Sequence, residues 1–466
     1  TSNGGEGPGS HRARRTPPAR APEERPDTLR REMGKPGVLL LIADDWSPLA
    51  GCYGDSTIRT PHVDEFARLA VRFNRAFCTT PSCAASRATL LTGLQSHAHG
   101  QYGHCHNRHT FRVLPDVPTL PQVLREQGIA SAAVGKQHVY PPSQFPWSFE
   151  APLGTLPEMR DAAKTFLESV DGESFYLHVG FSQPHRMRGG FGNENGLAYD
   201  PDTVPVPGFL PDVPEVRREL ADYYTAISRL DEGFGLMLEV LREAGRFEDT
   251  LILMMSDHGM PFPGAKASSF DSGHRCPLLI RSPQLQNTGH ASEALVNWTD
   301  IMPTVLEWFQ VAGQPPMHGR SLLPILDQTD PPGWEQTFLS HSFHEVTNYY
   351  PYRILRGRRW KYVLNLFPEL TLPLPSDLFA SQTWRAVEER GLTHLGERAL
   401  GDVLHQPAEK LYDIERDPLE TTNLAALPEH AELLSELRAQ LQQWREATGD
   451  LWLNSDRQAH LRQMGR

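Results

Sequence analysis

The sequence predicts an α/β protein built on a large central mixed sheet flanked by helices, and three observations carry that expectation. Two apolar runs of strand length, at 38–43 and 250–255, lie far apart in the chain. Each ends in metal-ligating side chains, Asp44 and Asp45 after the first and Asp257 and His258 after the second. Between them, Leu220, Ile227, Leu230, Phe234, Leu238 and Leu241 recur at helical spacing ahead of Gly245, which reads as one long helix over 215–245. Helices alternating with strands whose C-terminal ends carry reactive groups describe a sheet with its site along one edge.

The run at 38–43 is continuously apolar and so suits a strand buried on both faces. Paired acids at the end of such a strand are costly unless something positive compensates, and a divalent cation is the economical compensation. Thr60 and Pro61 then cap a helix reaching to about Ala70. In the stretch 79–93, Cys83 is followed four residues later by Arg87, with small residues between and a helix-forming apolar run behind. That suits a nucleophile at a helix N-terminus, where free N–H groups and a fixed cation favour developing negative charge.

His97, His99, His104, His106 and His109 follow, with Cys105 among them. No pair has zinc-finger or ribbon spacing, so they are expected to be loop histidines near the pocket rim. A helix over 120–127 precedes a strand over 130–134 that delivers Lys136 and His138, two residues apart and so able to reach one pocket. The strand at 175–181 ends before Pro184, which puts His185 and Arg186 at the same edge. Lys266, nine residues after Asp257, adds a cation. Beyond a Pro- and Asp-rich boundary at 327–333, the runs 352–355 and 360–364 read as paired strands. Leu433, Leu434, Leu437, Leu441 and Trp444 make one helical face. The expected divisions are an N-terminal segment over 1–36, a catalytic domain over 37–330 and a smaller α+β domain over 331–466.

At 466 residues with 39% hydrophobic content and a net charge of −12, the chain offers no nucleic-acid surface. No apolar run approaches the roughly 18 residues of a membrane helix. The five cysteines have no framework spacing and are expected to be reduced thiols. Residues 1–32 are rich in Pro, Gly, Arg and Glu and lack an apolar signal region. They read as disordered or non-native sequence ahead of a natural start at Met33. The expected compartment is therefore cytoplasmic, or periplasmic or extracellular if an export signal was removed upstream.

The stretch around Cys83 resembles the sulfatase signature, Cys-x-Pro-Ser-Arg followed by Leu-x-Thr-Gly, with Ala85 in the place of the proline. The resemblance runs from about Val38 to Trp452 and implies an alkaline-phosphatase-like fold. It is nearest to the heparan N-sulfatases, through Gly135-Lys136-Gln137-His138-Val139, Pro184-His185-Arg186, Met260-Pro261-Phe262-Pro263 and His344-Glu345-Val346-Thr347. It implies a sulfatase that releases inorganic sulfate from the N-sulfate of glucosamine in heparan- or heparin-type saccharides.

Under that resemblance a maturation enzyme converts Cys83 to formylglycine, whose hydrate is the nucleophile. One divalent cation, expected to be Ca2+, with Mn2+, Mg2+ or Zn2+ as alternatives, would be held by Asp44, Asp45, Cys83, Asp257 and His258. Lys136, Lys266 and Arg87 would neutralise charge at the sulfuryl group and nucleophile, and His185 would protonate the leaving group. His138 would remove the proton that lets the aldehyde reform, and Glu345 and Arg186 would contact the sulfated amino sugar. His258 departs from the asparagine of N-sulfatases and resembles the phosphonate monoester hydrolases of the same superfamily, the alternative enzyme reading beside an O-sulfatase. An unmatured, non-catalytic binder of sulfated glycans is the alternative of another class. Oligomeric state, a homodimer included, stays open.

Overall fold

The computed structural model describes residues 1, 35–187, 190–191 and 198–453, so nearly all of the expected 1–36 segment lies outside the described residues. A nine-stranded mixed sheet organises the chain. Its strands are β1 (Gly37–Ala43), β2 (Val71–Phe77), β3 (Ala130–Gly135), β4 (Phe149–Ala151), β5 (Phe175–Gly180), β6 (Thr250–Ser256), β7 (Arg275–Cys276), β8 (Leu278–Arg281) and β9 (Ala291–Asn297). They lie in the order β4-β3-β5-β1-β6-β8-β2-β7, with β9 also paired to β2. From β4 to β6 every pairing is parallel, and the sheet turns antiparallel at β8. Four neighbouring parallel strands, β3, β5, β1 and β6, therefore finish along the same edge.

Every residue of β1, β5 and β6 is buried, as continuous apolar runs in a centrally placed parallel sheet require. The helix Pro214–Glu243, about 45 Å long at the usual rise per residue, lays Leu220, Ile227, Leu230, Phe234 and Leu238 into the core shared with Leu39, Leu41 and Leu177. The helix opened by Pro61 ends at Ala67, short of Ala70, because the chain must extend again to enter β2 at Val71. Close packing at the reactive edge relies on glycine. A Cβ on Gly180 would lie 1.9 Å from the Lys136 carbonyl oxygen, so only glycine lets β5 end against β3.

A second sheet is antiparallel and joins β10 (Gln336–Phe343), β11 (Tyr349–Gly357) and β12 (Trp360–Asn365) to a later strand. A short hairpin, β13 (His394–Leu395) with β14 (Arg398–Ala399), comes between, and β15 (Glu409–Asp413) completes the sheet. The helix Ala431–Ala447 packs Leu434, Leu437 and Leu441 against Leu355, Tyr362 and Leu411 of this sheet. Asp450, just after the last long helix, takes Arg353 through two bonds of 2.8 and 2.9 Å and Arg445 at 2.8 Å. Glu219 on the long helix accepts the backbone N–H groups of Gln382 and Thr383 at 3.0 and 2.9 Å, tying the C-terminal segment to the main core. No helix among the described residues is long and apolar enough to cross a membrane.

Burial pulls the imidazoles of His99, His178 and His274 down to about 3. All three are neutral when folded but charge freely once unfolded, so the unfolded chain binds more protons below the ordinary histidine value. Stability is thus full above about pH 6.5 and declines as acid is added below it. Urea unfolding at a series of pH values is expected to show this decline, and His178→Leu is expected to make it shallower. An unchanged acid slope in that variant would remove His178 from the account.

Candidate active site

The ends of the four parallel strands converge on Cys83, which opens the helix Cys83–Thr92. Strand β1 delivers Asp44 and Asp45, β6 delivers Asp257 and His258, β3 delivers Lys136 and His138, and β5 leads into His185. Asp45 and His138 adopt left-handed backbone angles, φ 67° and 57°, which non-glycine residues hold only where the surroundings impose them.

The Cys83 Sγ lies 3.2 Å from His258 Nε2. His258 Nδ1 faces the Gly259 carbonyl at 2.9 Å and Nε2 lies 2.9 Å from Asp45 Oδ1. Against burial, the carboxylates of Asp257 and Asp45 raise the imidazole well above its ordinary value, and a divalent cation at Nε2 would take the place of that proton. Asp44 Oδ1 and Asp45 Oδ1 are both buried without a hydrogen-bond donor. The ligand atoms of Asp44, Asp45, Cys83 and His258 lie within 4.8 Å of one another, so these residues fit a divalent cation. Asp257 stands just behind, Oδ1 3.9 Å from His258 Nε2, with its carboxylate engaged by the Asp45 and His258 backbone N–H groups and by Arg87 Nε at 2.9 Å.

Cations surround the acids. Lys136 donates to Asp44, while Lys266 bridges Asp45 Oδ2 at 3.1 Å and Asp377 Oδ2 at 2.8 Å. His185 Nδ1 sits 2.6 Å from Asp45 Oδ2. Arg87 is fully buried and donates to Asp257, the Lys136 carbonyl and the Ala43 carbonyl, so it braces three strand ends. Burial alone would raise Asp44 and Asp45. Lys136 and His185 for the first, and Lys266 and His185 for the second, outweigh it and hold both well below the usual carboxylate range. Burial and the neighbouring Asp44 push Asp257 the other way. Burial also raises the Cys83 thiol, which as a plain cysteine is therefore a poor nucleophile at neutral pH.

Of the two expected substrate residues, Arg186 lies elsewhere than the sequence suggested. Arg186 is 4% exposed, with its guanidinium donating to the Pro261 carbonyl and Glu219 and packing over Phe191 and Phe262. It is a buried structural ion pair, and its donors are consumed there. Glu345 is at the surface side, where Oε1 accepts the Ser376 N–H and hydroxyl at the start of the turn Ser376–Phe379. That turn carries Asp377 to Lys266. Asp377 was absent from the sequence reading because it comes from a loop with no periodicity or motif. His344, quoted in the sequence only as part of the run His344-Glu345-Val346-Thr347 and given no role there, places Nδ1 3.0 Å from the Ser82 hydroxyl next to Cys83. All five cysteines are unpaired.

Buried acids that converge with an imidazole at the C-terminal edge of a mixed sheet define a hydrolase of the metal-assisted, alkaline-phosphatase-like class. The family model described as Sulfatase matches residues 36–311, and the one described as N-sulphoglucosamine sulphohydrolase, C-terminal, matches 265–367. The chain belongs to the sulfatase family, whose members are metal- and formylglycine-dependent hydrolases. It is 37% identical over 460 residues to the N-sulphoglucosamine sulphohydrolase of Homo sapiens, covering 89% of this chain and 91% of that protein. An ulvan-active sulfatase of Formosa agariphila is 26% identical, covering 89% and 76%. Among solved structures, one in complex with its substrate D-glucosamine-2-N,6-O-disulfate superposes with a TM-score of 0.67 at 18% identity, covering 90% and 99%. A phosphonate monoester hydrolase from Silicibacter pomeroyi gives 0.69 at 20%, covering 90% and 97%. These two likenesses establish the shared fold.

Chelation is expected to lower the thermal midpoint, and divalent metal to restore it. At 100 times the dissociation constant that linkage amounts to about 2.7 kcal/mol. His258→Ala and Asp45→Ala are each expected to lose most of the gain in calorimetric scans. A full metal-dependent gain in His258→Ala would exclude the imidazole as a ligand.

Proposed function

We propose that this chain hydrolyses the N-sulfate of glucosamine in heparan- or heparin-type saccharides and releases inorganic sulfate. The observation that carries the reading is the buried centre of Cys83, Asp44, Asp45 and His258 ringed by Lys136, Lys266 and His185, in a chain 37% identical to an N-sulphoglucosamine sulphohydrolase. A cation held by Asp44, Asp45 and His258, with Asp257 close behind, would supply Lewis-acid charge stabilisation and activation of oxygen near neutral pH. Ca2+ is the ion the acidic ligands favour, and the imidazole of His258 keeps Mn2+, Mg2+ and Zn2+ in contention. Formylglycine made from Cys83 by a maturation enzyme would supply an aldehyde hydrate as nucleophile, and the Sγ described here stands at its position.

The remaining chemistry belongs to the chain's own side chains. Lys136 and Lys266, each tethered to an aspartate, present positive charge to the oxygens of the sulfuryl group. Arg87 keeps Asp257 and the strand ends in register and acts through them. The Nδ1 contact of His185 with Asp45 orients the ring and leaves Nε2 to give a proton to the leaving amine. His138, beside Lys136, is the proton acceptor of the second half-reaction. The acidic pair Glu345 and Asp377 forms the rim that meets the amino sugar, Glu345 by holding the turn that carries Asp377.

The direct test compares sulfate release from N-sulfoglucosamine and 6-O-sulfoglucosamine, using protein whose Cys83 conversion has been quantified by peptide mass. Preference for the sulfamate is expected. Preference for the ester, or cleavage of a phosphonate monoester alone by converted enzyme, would favour the second reading that His258 supports. In converted enzyme His185→Ala is expected to lower kcat by roughly 10²–10⁴-fold. Asp377→Asn is expected to raise KM for the amino sugar with a smaller change in kcat, and an unaltered KM would retire the acidic rim.

A further inference from the structure

We infer that His106 is a positioning residue for the known class of reaction: granting the reading above, in which His138 is the proton acceptor, His106 fixes the tautomer that leaves His138 free to accept. His106 Nδ1 lies 2.8 Å from His138 Nε2. Two neutral imidazoles at that distance share one proton, so one ring donates and the other accepts. The other nitrogen of His138, Nδ1, is buried and has no hydrogen-bond partner among the described residues. A proton acceptor needs a free lone pair, and Nε2 is already engaged. Nδ1 is therefore the nitrogen that takes the proton, which requires the resting ring to carry its hydrogen on Nε2 and donate it to His106 Nδ1. As charge arrives on His138, that N–H becomes a stronger donor and the bond to His106 strengthens with it.

The backbone and neighbouring rings place His138 without deciding its tautomer. The buried Gln101 side chain donates Nε2 to the His138 carbonyl at 3.2 Å and accepts the Tyr140 N–H on Oε1 at 3.1 Å, clasping the turn on both sides of a residue held at φ 57°. The ring of His104 stacks on that of His138 with centroids 4.9 Å apart. Stacking sets the plane of the ring, and only a hydrogen bond selects the nitrogen that holds the proton. His106 is itself anchored, because the His109 N–H donates to its carbonyl at 3.0 Å and His109 Nδ1 accepts the Val346 N–H at 3.1 Å. Burial first, then Lys136, His104 and His106, hold the His138 imidazole well below its ordinary value against Asp44. Burial, His109, Lys136 and His185 lower His106 against Glu345. Both rings are thus neutral near neutral pH, the state in which His106 Nδ1 can accept. A base weakened by burial gains most from a partner that answers its N–H.

The first arm of the test needs no turnover. Long-range nitrogen–proton correlation spectra of isotope-labelled histidines, in the full chain with Cys83 unconverted, are expected to show His138 protonated at Nε2. The same is expected in His106→Gln, whose amide oxygen can accept the bond, whereas His106→Ala is expected to mix the two tautomers. The second arm uses converted enzyme, with N-sulfoglucosamine and an aryl sulfate as parallel substrates. His106→Ala is expected to lower kcat at least about tenfold, a part of the roughly 10²–10⁴-fold that a placed proton-transfer group contributes. KM is expected to stay unchanged and His106→Gln to recover most of the loss. His106 is exposed, so both variants keep the fold. His138 protonated at Nδ1, an unchanged kcat in His106→Ala, or a His106→Gln as slow as His106→Ala would overturn the assignment. Wild-type enzyme that cleaves only the aryl sulfate would sink the N-sulfate reading alone, and the same comparison of variants on that substrate would still decide the role of His106.

Discussion

The constraint on which the rest depends is the placement of three carboxylates, Asp44, Asp45 and Asp257, in the fully buried edge of a parallel sheet. A carboxylate removed from water costs several kcal/mol unless compensated. The compensation here is spread over Arg87, Lys136, Lys266 and His185, each delivered by a different segment of chain. Two carboxylate oxygens and one imidazole nitrogen remain after those pairings, and they face each other. The protein thus solves most of its electrostatic problem with its own cations and leaves a gap of defined shape for one more.

That arrangement explains the division of labour among the basic residues. Arg87 has every donor directed at a carboxylate or carbonyl of the scaffold, and its rigid fork can do this for three strand ends at once. The lysines have single flexible ammonium groups; Lys136 is tethered to one carboxylate and Lys266 to two, and each keeps a donor for an anion. Lys266 reaches further, because its second partner, Asp377, comes from the C-terminal segment. The centre accordingly draws on the C-terminal segment as well as the main sheet; Glu219 ties that segment to the main core, while Asp450 and Glu345 brace it from within.

Much of this was legible in the sequence, for a physical reason. Strands buried on both faces are continuous apolar runs, so acids or lysine at their ends stand out, and Asp44, Asp45, Lys136, Asp257 and His258 were all found that way. The Cys83 stretch added the helix N-terminus. Residues on irregular segments carry no such contrast: Asp377 and the meeting of His104 and His106 with His138 depend on long-range packing that no local pattern encodes, and the run holding His344 gives no hint that it reaches Ser82. Arg186 misled because a short Pro-His-Arg run gives the position of the chain but not the direction of the side chain, and here Glu219 draws it inward. The loop histidines were read as residues near the pocket rim, and their proximity to His138 arises only when the turn after β3 packs against them.

Cys83 is 1% exposed, under Ser82 and His344 and against His258. A side chain enclosed to this degree is out of reach of any other macromolecule once the fold is complete. His344 comes from the last third of the chain, so during synthesis the Cys83 stretch emerges well before its cover. The long sequence separation between Cys83 and that cover is a clock as well as a scaffold.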